Sequence, residues 1–263
     1  MERGKAKTVQ VRPSTGNKVL KAKVVGEFAT DDLAVVRVTS DADSLKPAKF
    51  ANSDDAQVGE IVLAMGNPLG LTDSVTQGIV SATGRTVSSG EPNGGPALIT
   101  SAIQTSAAIN PGNSGGALVN LEDEVLGIPT LAARDPQAGG LAPGIGFAIP
   151  SNTVQNIANQ LIAHGKVVKS DRASLGISAE TVANAQGEPA GVAVIAVAGG
   201  GPAADAGIGS GDIIVELKGQ ATPSLDVLES YLADLKPGQR VKVTYTRAGT
   251  KHTTTVKLGS LTG

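Results

Sequence analysis

From residue 8 to about residue 149, short runs of β-branched and aliphatic residues alternate with Gly, Pro, Asn and Ser. Runs of this length between turn-forming residues predict β-strands. The predicted strands span residues 8–11, 19–25, 33–38, 61–65, 74–81, 116–119 and 125–128. Because many short strands follow one another at close spacing, this part of the chain is expected to form an all-β barrel or sandwich.

The first long helical pattern begins at Ser151. Ser151 is a suitable N-cap residue, and Gly165 is a suitable residue for ending the helix. One apolar stripe contains Val154, Ile157, Leu161 and Ile162. The polar stretch that follows predicts a linker over residues 166–173, so residues 1–165 are expected to form the first domain.

Residues 174–260 predict a second, small α+β domain. Its predicted strands span residues 175–178, 191–197, 212–217, 240–246 and 253–258. One helix is expected after Thr222, with Pro223 at its first position. Its leucines recur at helical spacing, at positions 225, 228, 232 and 235, and three of them are expected to pack in the core: Leu225, Leu232 and Leu235.

Composition excludes several kinds of chemistry. The 263 residues contain no cysteine and two histidines, which rules out disulfides, thiolate–zinc sites and cysteine nucleophiles and disfavours a histidine-rich metal site. A formal charge of −2 gives no general attraction to nucleic acid. We therefore expect no metal, no cofactor and no nucleic-acid partner. No signal peptide follows Met1, so either the chain is cytosolic or its targeting segment lies outside this sequence.

A glycine-rich loop carries the strongest chemical signal. The segment Ile-Asn-Pro-Gly-Asn-Ser-Gly-Gly, residues 109–116, places Ser114 between glycines and between predicted strands. Acyl transfer by serine needs an exposed hydroxyl and backbone N–H groups directed at the developing oxyanion. Gly112 can adopt the backbone conformation that turns its N–H toward the same point as the N–H of Ser114. The segment therefore predicts a nucleophilic serine in its own oxyanion loop.

This loop, extended to residues 102–120, resembles the serine loop of HtrA/Deg-type (DegP-like) proteases. Three more segments match the same family in the same order: Asp-Leu-Ala-Val-Val at 32–36, Ala-Met-Gly-Asn-Pro-Leu-Gly at 64–70 and Gly-Ile-Gly-Phe-Ala-Ile-Pro at 144–150. The resemblance implies a chymotrypsin-like pair of β-barrels, the first of them incomplete here. It agrees with the mainly β prediction from the strand pattern.

The resemblance also assigns roles to individual residues. It implies that Ser114 is the nucleophile, that the N–H groups of Gly112 and Ser114 form the oxyanion hole, and that Asp32 is the triad carboxylate, whereas Asp31 is expected to be solvated. The uncharged Asn113 argues against activation by pairing with a freed N-terminus. The residues expected to pair with substrate are Gly144, Ile145, Gly146, Phe147 and Ala148.

The triad histidine has no candidate in this sequence. His164 ends a predicted helix and His252 lies in a late predicted strand, and both are expected to be structural or solvated. In the family, the histidine precedes the region at which this sequence begins. We therefore expect it a few residues upstream of Met1, through a misplaced start, an internal start or trimming.

The second domain resembles the PDZ domain that follows the protease in HtrA proteins. The matching segments are Ser-Leu-Gly-Ile at 174–177, Gly-Pro-Ala-Ala-Asp-Ala-Gly at 201–207 and Gly-Asp-Ile-Ile at 211–214. An exposed strand edge can pair with an extended peptide, and loop N–H groups can hold its terminal carboxylate. The residues expected to bind the peptide are Leu175, Gly176, Ile177, Val227, Leu228 and Tyr231.

Two functions of different classes follow from these features. The resemblance implies a serine endopeptidase that degrades unfolded or damaged proteins in an extracytoplasmic compartment, with trimer formation as a property of the full-length family members. The alternative is a non-catalytic, chaperone-like protein that binds peptides, since the sequence contains no histidine assigned to the triad. Labelling of Ser114 by an active-site serine probe distinguishes the two hypotheses.

Overall fold

The computed structural model describes residues 9–13, 19–40, 42–67, 74–88, 98–110, 112–135 and 140–262. The chain divides into two compact units, Met1–Val167 and Val168–Gly263. The division falls within the stretch that the sequence predicted as a linker. In the described part of the chain, no helix is long and apolar enough to cross a membrane.

The elements of the first unit are mostly strands. Their bounds are β1 Val9–Val11, β2 Leu20–Phe28, β3 Leu33–Val38, β4 Lys49–Phe50, β5 Ile61–Gly66, β6 Ser74–Ser88, β7 Leu98–Thr105, β8 Ala117–Val119, β9 Glu124–Asp135 and β10 Gly140–Pro150, followed by α1 Ser151–His164. Three short 3₁₀ turns are also described, Ala29–Asp31, Ala42–Ser44 and Ser53–Asp55.

These strands form two sheets. In the first, β1, β2 and β3 are antiparallel neighbours. In the second, the order β10-β7-β6-β5-β8-β9 closes into a barrel because β10 also pairs with β9, and β4 joins β9 in parallel. Side chains alternate along β5, so that Val62 and Ala64 are buried inside the barrel while Ile61 and Met65 face outward.

The fold class predicted from the sequence is confirmed. The unit is mainly β and has the chymotrypsin-like arrangement, with a closed six-stranded barrel and, in the described residues, three strands of the other barrel. Strand β3 has the predicted bounds. Strands β7 and β10 were not predicted.

Helix α1 differs from the prediction at its start. Its N-cap residue is Pro150, and Ser151 is the first helical residue, so the predicted serine cap is wrong. The Ser151 hydroxyl instead donates to the carbonyl oxygen of Ala51 at 2.7 Å. Ile162 is 52% exposed and does not belong to the buried stripe. The end is as predicted, since Gly165 adopts a left-handed conformation and its N–H bonds to the Leu161 carbonyl.

The second unit is an α+β module. Its elements are β11 Ala173–Ser174, β12 Ile177–Ala183, β13 Pro189–Val197, α2 Pro202–Asp205, β14 Ile213–Leu217, β15 Gln220–Ala221, α3 Leu225–Ala233, β16 Arg240–Arg247, β17 Thr250–Lys257 and β18 Gly259–Ser260. The main sheet has the order β12-β13-β14-β16-β17, with β15 beside β14, and β11 pairs with β18. Strand β12 is therefore an edge strand among the described residues.

Two details of this unit correct the sequence prediction. Helix α3 begins at Leu225 after the N-cap Ser224, so Pro223 precedes the helix rather than opening it. The segment before β11 packs with the end of the same unit, since the Ser170 N–H donates to Ser260 Oγ at 3.1 Å and the Leu261 N–H donates to the Arg172 carbonyl at 2.8 Å. The predicted linker over 166–173 is therefore too long at its C-terminal end.

Candidate active site and peptide groove

Ser114 lies in an exposed loop that runs alongside strand β9. The Ser114 hydroxyl donates to the carbonyl oxygen of Thr130 at 2.9 Å. The next residue, Gly115, donates its N–H to the carbonyl oxygen of Pro129 at 2.9 Å. The loop is thus fixed to β9 by two consecutive hydrogen bonds, which hold the serine hydroxyl at the surface of the unit.

Asp32, which directly precedes strand β3 of the first sheet, also contacts Thr130. It follows the 3₁₀ turn Ala29–Asp31 and adopts a left-handed conformation with φ 54° and ψ 38°, which aspartate tolerates better than most residues. The Thr130 hydroxyl donates to Asp32 Oδ2 at 2.6 Å. Thr130 is 8% exposed whereas Asp32 is exposed, so this bond is partly buried. Through Thr130, the structure brings together the two predicted catalytic residues, Ser114 and Asp32.

Thr130 connects the two predicted catalytic residues, and the sequence did not single it out. A threonine within a β-strand is common because β-branched side chains pack well in sheets, so its position carried no signal. Thr130 makes its two contacts with different atoms. Its hydroxyl donates to Asp32, and its backbone carbonyl accepts from Ser114. The residue is separated from Asp32 by 98 positions, and only the packing of the sheets reveals the connection.

The predicted oxyanion donors, the N–H groups of Gly112 and Ser114, lie in the turn that contains the predicted nucleophile. Gly112 has a φ of 106°, a conformation that favours glycine, and its carbonyl accepts the Asn67 N–H at 3.2 Å. The Asn113 N–H between them bonds to the Asn110 carbonyl at 2.9 Å. Within the described ranges, neither the Gly112 N–H nor the Ser114 N–H donates a hydrogen bond. The oxyanion hole remains a prediction that this arrangement allows.

Close backbone contacts fix the segment that leads to the serine. A Cβ at Gly78 would overlap the backbone nitrogen of Ala107, and a Cβ at Gly146 would overlap the side chain of Ile109. Thr76 Oγ1 donates to the Ala108 carbonyl at 3.0 Å. Strands β6 and β10 therefore hold this segment from two sides, and glycine is required at both contacts.

Two polar neighbours of the site are buried. Asn113 is 1% exposed, and its side-chain amide donates to the Ala108 carbonyl at 3.0 Å. Asp31 is 3% exposed, so the expectation that it is solvated is wrong. The 3₁₀ turn directs the side chain of Asp31 inward, whereas the next residue, Asp32, is exposed.

The residues predicted to pair with substrate need correction. Gly146, Phe147 and Ala148 pair with β7 on one side and with β9 on the other, so their backbone has no free edge. Gly144 and Ile145 lie at an irregular stretch of β10 and are exposed, and for them pairing with substrate stays a prediction. Strand β10 lacks a free edge at these residues because it closes the barrel by pairing with both β7 and β9. The sequence did not indicate this closure.

A different edge lies beside the nucleophile. Strand β9 pairs with β8 only as far as Gly127, while its pairing with β10 continues to Asp135. Past Gly127, in the part of the chain that the structure describes, the serine loop is the segment that bonds to the other edge of β9. Among the described residues, the edge of β9 is therefore unpaired beyond Thr130, next to Ser114.

Neither histidine is hydrogen-bonded to Ser114 or Asp32. His164 is exposed at the end of α1. His252 lies in β17 of the second unit, where its ring stacks on Tyr245 with the centroids 5.5 Å apart. Among the residues that the structure describes, no cluster of His, Asp or Glu is suited to a metal ion.

In the second unit, helix α3 lies beside the edge strand β12. Leu175 and Leu228 are each 1% exposed and belong to the core, and for both residues peptide binding stays a prediction. Ile177 and Tyr231 are partly buried against the core, and Val227 is half-buried. For these three residues peptide binding stays a prediction.

The loop before β12 already uses one of its donors. Gly176 has a φ of 69°, and its N–H donates to the Ser174 hydroxyl at 2.9 Å. The carbonyls of Leu175 and Gly176 accept the N–H groups of Ala203 and Ala198 at 2.9 Å each. The loop is thus held rigidly by neighbouring segments, and an incoming carboxylate would have to displace the Ser174 hydroxyl to use the Gly176 N–H.

Comparison with known proteins agrees with both parts of this architecture. Residues 3–128 match the trypsin-like peptidase domain family, and residues 173–258 match the PDZ domain family. The chain is 40% identical over 263 residues to the serine protease Do-like HtrA of Lactococcus lactis subsp. lactis, covering 94% of this chain and 63% of that protein. It is 41% identical over 241 residues to the serine protease PepD of Mycobacterium tuberculosis, covering 90% of this chain and 50% of that protein.

Solved structures show the same likeness. The HtrA-type protease AlgW with a decapeptide has a TM-score of 0.60 and 34% identity, over 98% of this chain and 77% of that chain. The serine endoprotease from Yersinia pestis has a TM-score of 0.59 and 33% identity, over 98% of this chain and 82% of that chain. The chain belongs to the HtrA family of trypsin-fold serine proteases with a PDZ domain. It spans between half and two thirds of the length of the curated relatives described above.

Proposed function

We propose that this chain contributes the nucleophile and the acid of an HtrA-type serine endopeptidase that acts on unfolded or damaged proteins in protein quality control. The observation that supports the proposal is the connection from the Ser114 hydroxyl through Thr130 to the Asp32 carboxylate, with bonds of 2.9 and 2.6 Å. It unites a nucleophile and an acid from separate sheets at one exposed point. Family membership supports the same reaction class.

In the proposed reaction, Ser114 Oγ attacks the carbonyl carbon of the scissile peptide and transfers its proton to an imidazole. The oxyanion is stabilised by the N–H groups of Gly112 and Ser114. The imidazolium then protonates the leaving amine, the C–N bond breaks and an acyl-enzyme remains, which water hydrolyses by the same steps. Asp32 orients the imidazole, and Thr130 leaves Oδ1 of Asp32 free for that role by donating to Oδ2.

The proposed reaction requires an imidazole, and in the part of the chain that the structure describes neither His164 nor His252 is hydrogen-bonded to Ser114 or Asp32. Substrate is proposed to extend along the unpaired edge of β9 beyond Thr130, since an extended peptide can add to a strand edge. Neither the proposed acyl transfer nor the proposed binding of substrate requires a metal or a nucleotide.

The PDZ domain is proposed to bind C-terminal segments of proteins between β12 and α3. The solved structure of AlgW contains a decapeptide, which supports a peptide ligand for this domain architecture. An extracytoplasmic location, such as the periplasm or the cell envelope, is proposed because one relative, from Salmonella typhimurium, is a periplasmic endoprotease, DegP.

A second function is favoured by a separate observation. The Ser114 hydroxyl donates to a backbone carbonyl, which cannot accept a proton as a general base does. A protein in this state would bind peptides through its PDZ domain without cleaving them. This non-catalytic, chaperone-like function is the alternative to the protease.

The experiment that separates the two functions is labelling with a fluorophosphonate probe, applied to the protein from its native source and to the 263-residue chain with and without added imidazole. Labelling of the native protein on the peptide that contains Ser114 supports the protease. We expect weak labelling of the 263-residue chain that rises with imidazole, because loss of the base leaves only oxyanion stabilisation and binding. A folded native protein that stays unlabelled would refute the protease proposal.

Substitutions of Thr130 test the connection itself. Thr130→Val removes the hydroxyl while keeping the shape, and should lower kcat/KM of the active protease about 10- to 100-fold, since hydrogen bonds to charged groups are among the stronger ones. Thr130→Ser keeps the hydroxyl and should stay within about threefold of the wild type. The loss should appear in kcat rather than in KM. Equal kinetics for the two variants would show that Thr130 does not position Asp32.

A further inference from the structure

A cavity of about 420 Å³ lies in the second unit, between helix α2 and the end of the hairpin that β16 and β17 form. Cavities of this volume are in the range that small-molecule sites occupy. None of its lining residues belongs to the candidate active site or was predicted to bind peptide. The lining residues that bear on a ligand are Pro202, Asp205, Ala206, Arg240, Thr255 and Lys257.

The α2 wall of the cavity is fixed at both ends. The Thr254 hydroxyl in β17 donates at 3.0 Å to the carbonyl oxygen of Ala206, the residue that ends the helix. At the first residue of the helix, Pro202 packs so closely on Gly259 that a Cβ at Gly259 would lie 2.8 Å from Pro202 Cγ. Because α2 is held in this way, the cavity is already formed and a ligand does not have to open it.

Two cations meet at this cavity. Arg240 of β16 and Lys257 of β17 are exposed and directly opposite each other in the strand register. Like charges in such a position destabilise a sheet. Lys242, two residues after Arg240 and therefore on the same face, adds a third positive charge beside Thr255, its partner in the register. An anion in the cavity would relieve this repulsion.

The acidic side chains of the unit do not neutralise these cations. Lys251, in the same strand as Lys257, bonds to Glu216 at 2.7 Å. Within the described ranges, Arg240 and Lys257 form no such ion pair. Asp205, the last residue of α2, also lines the cavity, and its single negative charge is less than the two positive charges opposite it. The cavity therefore has a net positive charge.

We propose that this cavity binds a phosphate monoester, a site separate from both the proposed catalysis and the proposed peptide binding. The Arg240 guanidinium can donate two parallel hydrogen bonds to a phosphate, and Lys257 supplies a second positive charge beside it. The Thr255 hydroxyl is a further donor. The cavity is larger than a phosphate group, and Pro202 and Ala206 give it apolar surface for a small organic body.

The first test is calorimetric titration of the 263-residue chain with glycerol 3-phosphate. Arg240→Gln should weaken binding about tenfold and Lys257→Gln about fivefold, because each variant loses a hydrogen bond between charged groups. Asp205→Asn should tighten binding about threefold, since it removes a repulsive charge from the cavity. The matched control is Lys251→Gln, which removes a cation of β17 outside the cavity and should leave the dissociation constant unchanged.

The second test separates two sources of the same chemical group. A phosphate monoester occurs on soluble molecules and also on the headgroup of phosphatidic acid. Sedimentation with phosphatidylcholine vesicles, with and without phosphatidic acid, measures binding to the lipid. Binding that requires phosphatidic acid and is weakened by Arg240→Gln would assign the ligand to the membrane, whereas binding of glycerol 3-phosphate alone would assign it to a soluble molecule.

Three results would overturn the proposal. The first is no binding of glycerol 3-phosphate up to about 10 mM together with no binding to the vesicles. The second is binding that neither Arg240→Gln nor Lys257→Gln weakens. The third is equal affinity for malate, a dianion of similar size without phosphate, which should bind at least about fivefold more weakly because its two charges lie on separate groups. Melting curves establish that every variant is folded.

Discussion

Ser114→Ala should abolish fluorophosphonate labelling and lower kcat/KM of the active protease by about 10⁶, because the other triad members are ineffective without the nucleophile. Asp32→Asn should lower kcat by about 10⁴, since an asparagine at the triad acid favours the wrong tautomer of the imidazole. These are the largest changes in rate that the site predicts. Cleavage of an unfolded protein substrate, measured under single-turnover and steady-state conditions, gives both values.

The control for Asp32, which directly follows a 3₁₀ turn, is an exposed aspartate within another 3₁₀ turn of the same unit. Asp54 lies in the turn Ser53–Asp55, and Asp54→Asn removes the same charge without touching the Thr130 hydroxyl. It should keep full activity. Residual activity of Ser114→Ala near the wild-type rate would assign the hydrolysis to another group and refute the role of Ser114.

Asp212→Ala should give the largest loss of stability in the PDZ domain. The Asp212 side chain is 1% exposed and receives two bonds of 2.7 Å from the Arg247 guanidinium and one of 2.8 Å from the Gly209 N–H. Removing the carboxylate breaks all three, and we expect the free energy of unfolding to fall by about 2–3 kcal/mol, less than for a fully buried pair because Arg247 is half-exposed. Urea titration followed by circular dichroism measures the change.

Glu216 provides the matched control. Its carboxylate lies 2.7 Å from Lys251 Nζ in the same sheet, but both side chains are more exposed than Asp212. Glu216→Ala should leave the unfolding midpoint almost unchanged, because an exposed ion pair contributes little. Equal losses in the two variants would show that burial of Asp212 is not the cause.

The stabilisation by Asp212 should also depend on pH. The hydrogen bonds from Arg247 hold the pKa of Asp212 below its ordinary value of 3.8. A carboxyl with a lowered pKa in the folded state stabilises the protein above its unfolded pKa, and this contribution is lost as the pH falls through the folded value. The stability difference between wild type and Asp212→Ala should therefore be constant near neutral pH and decrease below about pH 4. A difference that does not decrease as the pH falls below the unfolded pKa would contradict this assignment.

Local patterns in the sequence were sufficient for much of the fold. The β-branched run at β3, the helical stripe of Val154, Ile157 and Leu161, and the terminating Gly165 each reflect short-range physics, and the structure has them as predicted. The serine loop and Asp32 were found through family motifs rather than through geometry. Strand β10 was not predicted because its glycines and prolines ordinarily break strands, and only its two neighbours in the barrel make it one.

What the sequence by itself determined is therefore the class of fold and the order of the two domains, because turn chemistry and periodicity are local. The serine motif is local too, and it predicts Ser114 as the nucleophile. Tertiary structure alone decided which groups meet. Closure of the barrel paired Gly146–Ala148 on both sides and left the edge of β9 beside Ser114. Packing of the two sheets placed Thr130 against Asp32, and packing of α3 on β12 joined Thr181 to Leu225. These contacts join residues far apart in the chain, and no local preference of either partner encodes them.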